Sequence, residues 1–415
     1  MKRTANFLPL FLALSSALAV LSGSAYGFTL NIFGNANMDW AIDDQDIAYV
    51  QDIIDGKEKS TELADANHDG VVNSEDIDHI KHIIQGDEDT LTLIDTANRT
   101  LTLKMPIERI VAVTDDSAEA LRVLHATDKV VGVSVETLEN FVYLPEFNQT
   151  PNVGKWNEPD IERILTLDPD LVISYKSATP KYIEPKLNGT HIPSVALDLY
   201  RADDLPAEMK MLGYIVSKTA EADKYLELFN EVTDTVSEKT STIPQDKRVR
   251  VYLEGSADLK TYTKGKGGDL ACTMAGGVNL ASDLEGSYPE VESEWVLVQN
   301  PEVIVRLAQP SEIPCGYETD DPSGFEAKRN EILARTGWSN ITAVKDNRVH
   351  MLLYEFGASP GVPVTIAYMA KWFYPELFED LDPQAIHQEY LNEIQGMDYD
   401  LKEHGVFVYP PLEVI

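Results

Sequence analysis

Two twelve-residue stretches near the front of the chain alternate oxygen-bearing side chains with small or apolar ones. Residues 35–46 place Asn35, Asn37, Asp39, Asp43 and Asp46 at positions 1, 3, 5, 9 and 12, and residues 65–76 place Asp65, Asn67, Asp69, Asn73 and Asp76 at the same positions. This spacing turns successive carboxylates and amides toward one centre, while the backbone carbonyl of position 7, Ala41 or Val71, fills a gap. Such a donor set suits calcium, a hard ion that takes six to eight oxygens. Two calcium ions are therefore expected. Gly70 supplies the sharp turn of the second loop, whereas the first has Trp40 there and opens on an asparagine. The competing reading is a solvated acidic stretch. His68, His79 and His82 lie nearby and read as exposed helix histidines rather than a transition-metal set.

The elements that position these loops are apolar-periodic helices, carrying Ile47, Val50, Ile53 and Ile54 after the first and Ile77, Ile80, Ile83 and Ile84 after the second. Beyond an acidic linker at 87–89, residues 91–103 alternate as a hairpin about Ala97-Asn98-Arg99. Buried strands are then predicted at 109–113, 129–133 and 170–175, with Ser117 capping the helix after the first.

One block occurs twice. Gly154-Lys155-Trp156, Glu162-Arg163-Ile164-Leu165 and Asp168-Pro169-Asp170-Leu171-Val172-Ile173 return as Gly286-Ser287-Tyr288, Glu294-Trp295-Val296-Leu297 and Asn300-Pro301-Glu302-Val303-Ile304-Val305. In each copy a glycine-aromatic turn leads into a short amphipathic helix, proline stops it, and a buried strand follows. Two similar α/β lobes facing a cleft are implied. Between them, Met209, Leu212, Val216, Leu226, Phe229, Val232 and Val236 fit one helical stripe, predicting a single long helix over 205–240. The expected organisation is an export segment at 1–27, a calcium-loop module at 28–88, lobe 1 at 89–204, the linker helix, and lobe 2 at 241–415 with its tail packed on that lobe.

The net charge of −35 over 415 residues argues against nucleic acid or anionic lipid as a partner. Lys2, Arg3, an apolar run from Phe7 to Leu21 and the small residues before Phe28 read as an export signal. No cysteine lies near that cleavage region, so lipid attachment there is not expected. Cys272 and Cys315 either pair or stand as two separate core residues. Sequons at Asn98, Asn148, Asn188 and Asn340 would lie on surface loops if used. Gly-x-Ser-x-Gly, His-Glu-x-x-His and P-loop patterns are absent, and Tyr262-Thr-Lys264-Gly-Lys-Gly-Gly268 lacks P-loop spacing, so catalysis is not expected. That glycine-rich turn is expected at the rim of the cleft.

Residues 31–86 resemble dockerin modules, whose duplicated loop-helix halves bind two calcium ions and dock onto cohesin domains. Residues 92–375 resemble the substrate-binding proteins of ABC importers for ferric siderophores, haem and cobalamin. The residues carrying that likeness are Ile107-Glu-Arg-Ile-Val, Asp128-Lys-Val-Val-Gly-Val, the duplicated block and Ala275-Gly-Gly-Val-Asn-Leu, in that order. This resemblance implies two Rossmann-like lobes bridged by one rigid helix, with a ligand between them. It also implies that Glu162 and Glu294, one on each lobe, dock with arginines of a membrane permease. Ligand contacts are expected from loops at the strand ends: Trp156 and Tyr288 first, then Tyr175, Tyr200, Arg201, Tyr262, Lys264, Arg306 and Tyr354. Arg306 follows a buried strand and so needs a ligand anion or a carboxylate partner. A cationic cleft would favour an anionic ferric chelate. The alternative function is a surface-assembly protein that acts through the calcium module, with the lobes as scaffold.

Overall fold

The duplicated block builds the same unit twice in the computed structural model, which describes residues 27–255, 257–354 and 359–412. The export segment lies outside these residues, apart from Gly27. No helix among the described residues is long and apolar enough to cross a membrane.

In the front module, α1 (Asp44–Ile54) and α2 (Ser74–Gln85) each begin in a capping box supplied by the loop before it. Asp43 and Asn73 cap the helices, and Asp46 and Asp76 return a bond to the cap N–H. Positions 9 and 12 of each loop thus start a helix as well as facing the loop interior. Val50, Ile80 and Ile83 bury against Leu30, Ile32, Ala64 and Ala66. The hairpin β1 (Thr90–Ile94) and β2 (Thr100–Lys104) pairs Thr90 with Lys104 through Ile94 with Thr100, as the alternation predicts. Residues 31–33 lie along β1: Ile32 pairs with Leu93, and the N–H groups of Phe33 and Ile94 bond Thr92 and Asn31 carbonyls at 2.9 Å.

Lobe 1 continues with β3 (Ile110–Ala112), α3 (Asp115–Val123), β4 (Val130–Val133), α4 (Val135–Glu139), β5 (Gly154–Lys155), β6 (Glu158–Pro159), α5 (Ile161–Leu167), β7 (Leu171–Ser174), α6 (Glu184–Leu187) and β8 (Ser194–Ala196). Its parallel sheet runs β4-β3-β7-β8. Every residue of β3, β7 and β8 is buried, the signature of strands covered on both faces. The cap of α3 is Thr114, not Ser117: Thr114 Oγ1 accepts the Ser117 N–H, and Ser117 returns the bond from the third helical position.

The bridge is two helices rather than one. α7 (Leu205–Ile215) ends at Val216, Ser217 takes a left-handed φ of 57°, and α8 (Thr219–Thr240) starts anew. A Cβ at Gly213 would meet the Ala222 Cβ at 2.7 Å, so this glycine lets the helices pack closely at the corner. At 1.5 Å per residue α8 spans about 33 Å, against about 50 Å for the unbroken helix.

Lobe 2 comprises β9 (Arg250–Glu254), α9 (Gly267–Met274), β10 (Val278–Asn279), α10 (Ser293–Gln299), β11 (Val303–Ala308), α11 (Ser323–Leu333), α12 (Thr342–Lys345), β12 (Val349–Leu353), α13 (Val362–Phe373), α14 (Pro383–Glu389) and β13 (Val408–Tyr409). The sheet order is β10-β9-β11-β12-β13, with the last strand antiparallel. The tail therefore does add to lobe 2, but it also crosses to lobe 1. The Tyr390 hydroxyl and the Gln395 amide both donate to Glu119 Oε1, at 2.5 and 3.2 Å. Cys272 and Cys315 are both buried, and no disulfide joins them. The four sequon asparagines are exposed.

Candidate functional site

Equivalent elements bring aromatic and acidic side chains to a cavity of about 960 Å³ between the lobes. Trp156 stands in the two-residue turn of the β5–β6 hairpin. Gly154 allows that hairpin: at φ +88°, a Cβ there would meet the Glu158 carbonyl oxygen at 2.7 Å and the Asp160 nitrogen at 2.8 Å. The second copy solves the same turn differently, since residues 289–291 pair with 259–261 instead of folding back on themselves. Tyr288 is consequently presented more openly, with 52% exposure.

Trp156, Tyr175, Tyr200, Tyr288 and Tyr354 line the cavity. On the lobe 1 wall, Trp156 meets Tyr175 edge-on with centroids 5.6 Å apart, and Tyr175 meets Tyr200 at 5.4 Å. On the lobe 2 wall, Tyr262 lies behind the lining: it braces Tyr288 edge-on at 5.8 Å and stacks on Tyr354 at 6.2 Å. Rings fixed by such contacts offer apolar faces at little further entropic cost.

The other sequence candidates go elsewhere. Arg201 donates to the Gly265 carbonyl at 2.9 Å, tying lobe 1 to lobe 2 outside the cavity, and its remaining bonds go to Asp203 and Asp204. Lys264 is exposed in the turn before α9. Arg306 is fully buried against Glu254, Glu312 and Asp258, so its charge is answered by the protein's own carboxylates. The glycine-rich turn does not line the cavity; the Gly265 N–H donates to Asp269 Oδ2 at 2.8 Å.

The expected cationic cleft is therefore corrected. Among the described lining residues there is no lysine or arginine, whereas Asp115, Asp116, Glu119, Glu136, Glu139 and Glu318 all contribute. Asp116 accepts a short bond from the Tyr175 hydroxyl. Burial, and then the Asp115 charge, push Asp116 well above the usual carboxylate range. Burial raises Glu119 as well, although bonds from Tyr390 and Tyr143 and the Arg122 charge oppose it. The sequence marks the turn at 114–117 as a place where ligands are met, but Asp115 and Asp116 were not among the expected contacts. The signal was Asp115-Asp116 directly after a buried strand, at the strand-to-helix turn where α/β sheets meet their ligands.

In the second front loop, the Asp69 and Gly70 N–H groups hold the Asp65 oxygens at 3.1 and 2.8 Å, and the Asn67 and Asn73 N–H groups hold Asp76 at 3.2 and 2.7 Å. Gly70 has a φ of 95°. The first loop repeats the pattern around Asp46, with Asn37 and Asp43 N–H donors at 3.1 and 2.9 Å. Asn35, however, spends its amide nitrogen on the Leu30 and Asp39 carbonyls, which leaves a single oxygen. Among the described residues, no three Asp, Glu, His or Cys side chains form a metal-holding group on their own. Calcium would also need the Asn oxygens and the Ala41 and Val71 carbonyls, a set that fits the second loop better than the first. The histidines serve other ends: His68 packs edge-on against Phe33 at 4.6 Å, and His82 bonds Asp87 at 2.8 Å. The module is also fastened to α7, where the Tyr214 hydroxyl accepts the Ile42 N–H at 2.9 Å and Lys210 lies 5.1 Å over Trp40.

Glu162 and Glu294 are exposed in the first turn of the equivalent seven-residue helices α5 and α10, each closed by a left-handed residue, Asp168 or Asn300. Neither lines the cavity.

Comparison with known proteins agrees with this geometry. The molybdate-binding protein MolA of Haemophilus influenzae is 26% identical over 334 residues, covering 73% of this chain and 90% of that one. The vitamin B12-binding protein of Pectobacterium carotovorum is 24% identical over 207 residues, 50% of this chain and 73% of its own. The TroA-like periplasmic binding protein FepB from Veillonella parvula superposes with a TM-score of 0.66 at 22% identity, covering 76% of this chain and 98% of that one. The family model described as periplasmic binding protein matches residues 110–352, from β3 of lobe 1 to β12 of lobe 2. This chain belongs to the periplasmic binding protein family and is a substrate-binding, non-enzymatic component of an ABC importer.

Proposed function

We propose that this receptor is exported without lipidation and captures a bulky metal chelate or corrinoid, with a ferric chelate favoured, for delivery to a membrane permease. The cavity carries this reading: about 960 Å³ walled by Trp156, Tyr175, Tyr200, Tyr288 and Tyr354 is far larger than a bare ion or a small oxyanion needs. The relatives named for molybdate and vitamin B12 span both ligand sizes, and the aromatic walls favour the larger.

Thermal unfolding against ferric siderophores, haem, cobamides and molybdate tests it. One chelate class should raise the midpoint, since a ligand that binds only the folded state stabilises it. Trp156→Ala should weaken that ligand about tenfold, the loss expected for one aromatic contact. A shift with molybdate alone, or with none of the panel, would overturn the chelate reading.

The front loops support a second activity, calcium-dependent docking of the dockerin type, with a cohesin domain as the fitting partner. Asp65, Asn67, Asp69, Asn73 and Asp76 with the Val71 carbonyl would hold one ion, and Asn35, Asn37, Asp39, Asp43 and Asp46 with the Ala41 carbonyl a second. Adding calcium to chelator-treated protein should raise the unfolding midpoint by several degrees. Asp65→Ala should remove most of that gain. An unchanged midpoint would sink the calcium assignment.

A further inference from the structure

The charge of the cavity wall narrows its ligand. Three elements supply the carboxylates: α3 gives Asp115, Asp116 and Glu119, α4 gives Glu136 and Glu139, and the segment after β11 gives Glu318. Among the described residues, cations close to these walls are already engaged. Arg122 stacks on Tyr143 at 4.3 Å and faces Glu146 at 3.6 Å, and Lys176 pairs with Asp198 at 3.0 Å. Glu136 Oε2 is buried without a hydrogen-bond partner. Like charges brought together away from water are costly: burial holds Asp115, Asp116 and Glu119 toward the neutral form, and a cationic ligand is what would favour their ionised form, Arg122 being the described cation beside Glu119.

Two features of the fold could have received an anion, and both are closed. The N-terminus of α3 is occupied by its own first-turn acids, Asp115 and Asp116. The glycine-rich turn before α9 spends its Gly265 N–H on Asp269. An oxyanion entering the cavity would find neutral donors such as Asn140 and Gln309 but no lining lysine or arginine to balance its charge, beside six acidic side chains. A cation would meet carboxylates and the faces of Trp156, Tyr175, Tyr288 and Tyr354, which attract positive charge through their ring quadrupoles.

We propose that the cleft selects a ligand carrying net positive charge on an apolar-faced body, a cationic chelate or corrinoid, and turns away oxyanions and anionic chelates; this rests on the chelate-receptor reading above. The test uses three matched probes with the full chain: a ferric trihydroxamate bearing a free ammonium group, its N-acetyl derivative, and its N-succinyl derivative. Titration calorimetry should rank them ammonium, acetyl, succinyl, with about tenfold between neighbours, because complementary charge attracts and like charge repels. In Glu136→Gln/Glu139→Gln, carried at the half-buried and exposed positions of α4 so that folding is spared, the spread should shrink severalfold. Equal affinities or the reverse order would overturn charge selection while leaving the chelate receptor standing. Binding of none of the three, with haem and cobamides also inert, would overturn the receptor reading and this inference with it.

Discussion

Reversing the charge of Glu162 and Glu294 together, as Glu162→Lys/Glu294→Lys, is expected to cut ligand import at least tenfold while leaving ligand affinity within about twofold. Both carboxylates are exposed, neither lines the cavity, and they occupy the same place in duplicated helices. Among the described residues neither forms an ion pair, and an acid in a helix's first turn gains only the modest dipole term. Beside them lie Leu165 and Val298, exposed to 40% and 81%, so each lobe presents a carboxylate with an apolar neighbour, the pairing a partner surface uses. Like charges juxtaposed across an interface cost several kcal/mol, and about 1.4 kcal/mol already removes a factor of ten. The measurement is uptake by cells carrying the permease, with calorimetry on the isolated receptor beside it. Unchanged uptake would refute docking through these residues.

Glu254→Leu should destabilise the receptor by about 3–5 kcal/mol, the cost of breaking a buried ion pair from one side. Glu254 is fully buried at the end of β9 and takes a bidentate grip from Arg335, at 2.6 and 2.9 Å. It also faces Arg306 Nε at 3.6 Å, and Arg306 is itself fully buried. Removing the carboxylate leaves two guanidinium groups sharing Glu312 and Asp258 near the surface. Denaturant unfolding measures the loss, and Glu254→Leu/Arg306→Met/Arg335→Met should recover much of it, because apolar replacement of a whole buried cluster is often close to neutral. A single variant as stable as the parent would show that the cluster contributes little.

What could be read from the residues follows their physical range. The strands of both lobes were legible because a strand buried on both faces is largely apolar, and residues 171–173 of β7 and 303–305 of β11 are such runs behind a proline. The hairpin of β1 and β2 was legible from local alternation. The break between α7 and α8 was not, since the apolar stripe continues on both sides of it. Its cause is local, a left-handed Ser217 and the close approach of Gly213 to Ala222. Arg306 was misplaced for a different reason. It lies inside β11 rather than after it, and the anions that such a buried cation needs, Glu254 and Glu312, are brought to it by tertiary packing. Five of the aromatic candidates share the cavity, whereas its acids were overlooked because surface helices carry many acids and only the fold decides which turn inward.

The crossing of the tail to Glu119 has a mechanical corollary. Apart from the single Arg201–Gly265 bond, the lobes are joined at two separated places, the bend between α7 and α8 and the Tyr390–Gln395 contact with lobe 1. A body pinned at one point can swing in any direction, but a body pinned at two can only turn about the line through them. Once the Arg201–Gly265 bond is released, opening of this receptor is thereby reduced to a single rotational freedom, like a door on a pair of hinges with its latch undone. A permease that grips each lobe away from that line gains leverage on the one motion available, and a pull along the line would move nothing.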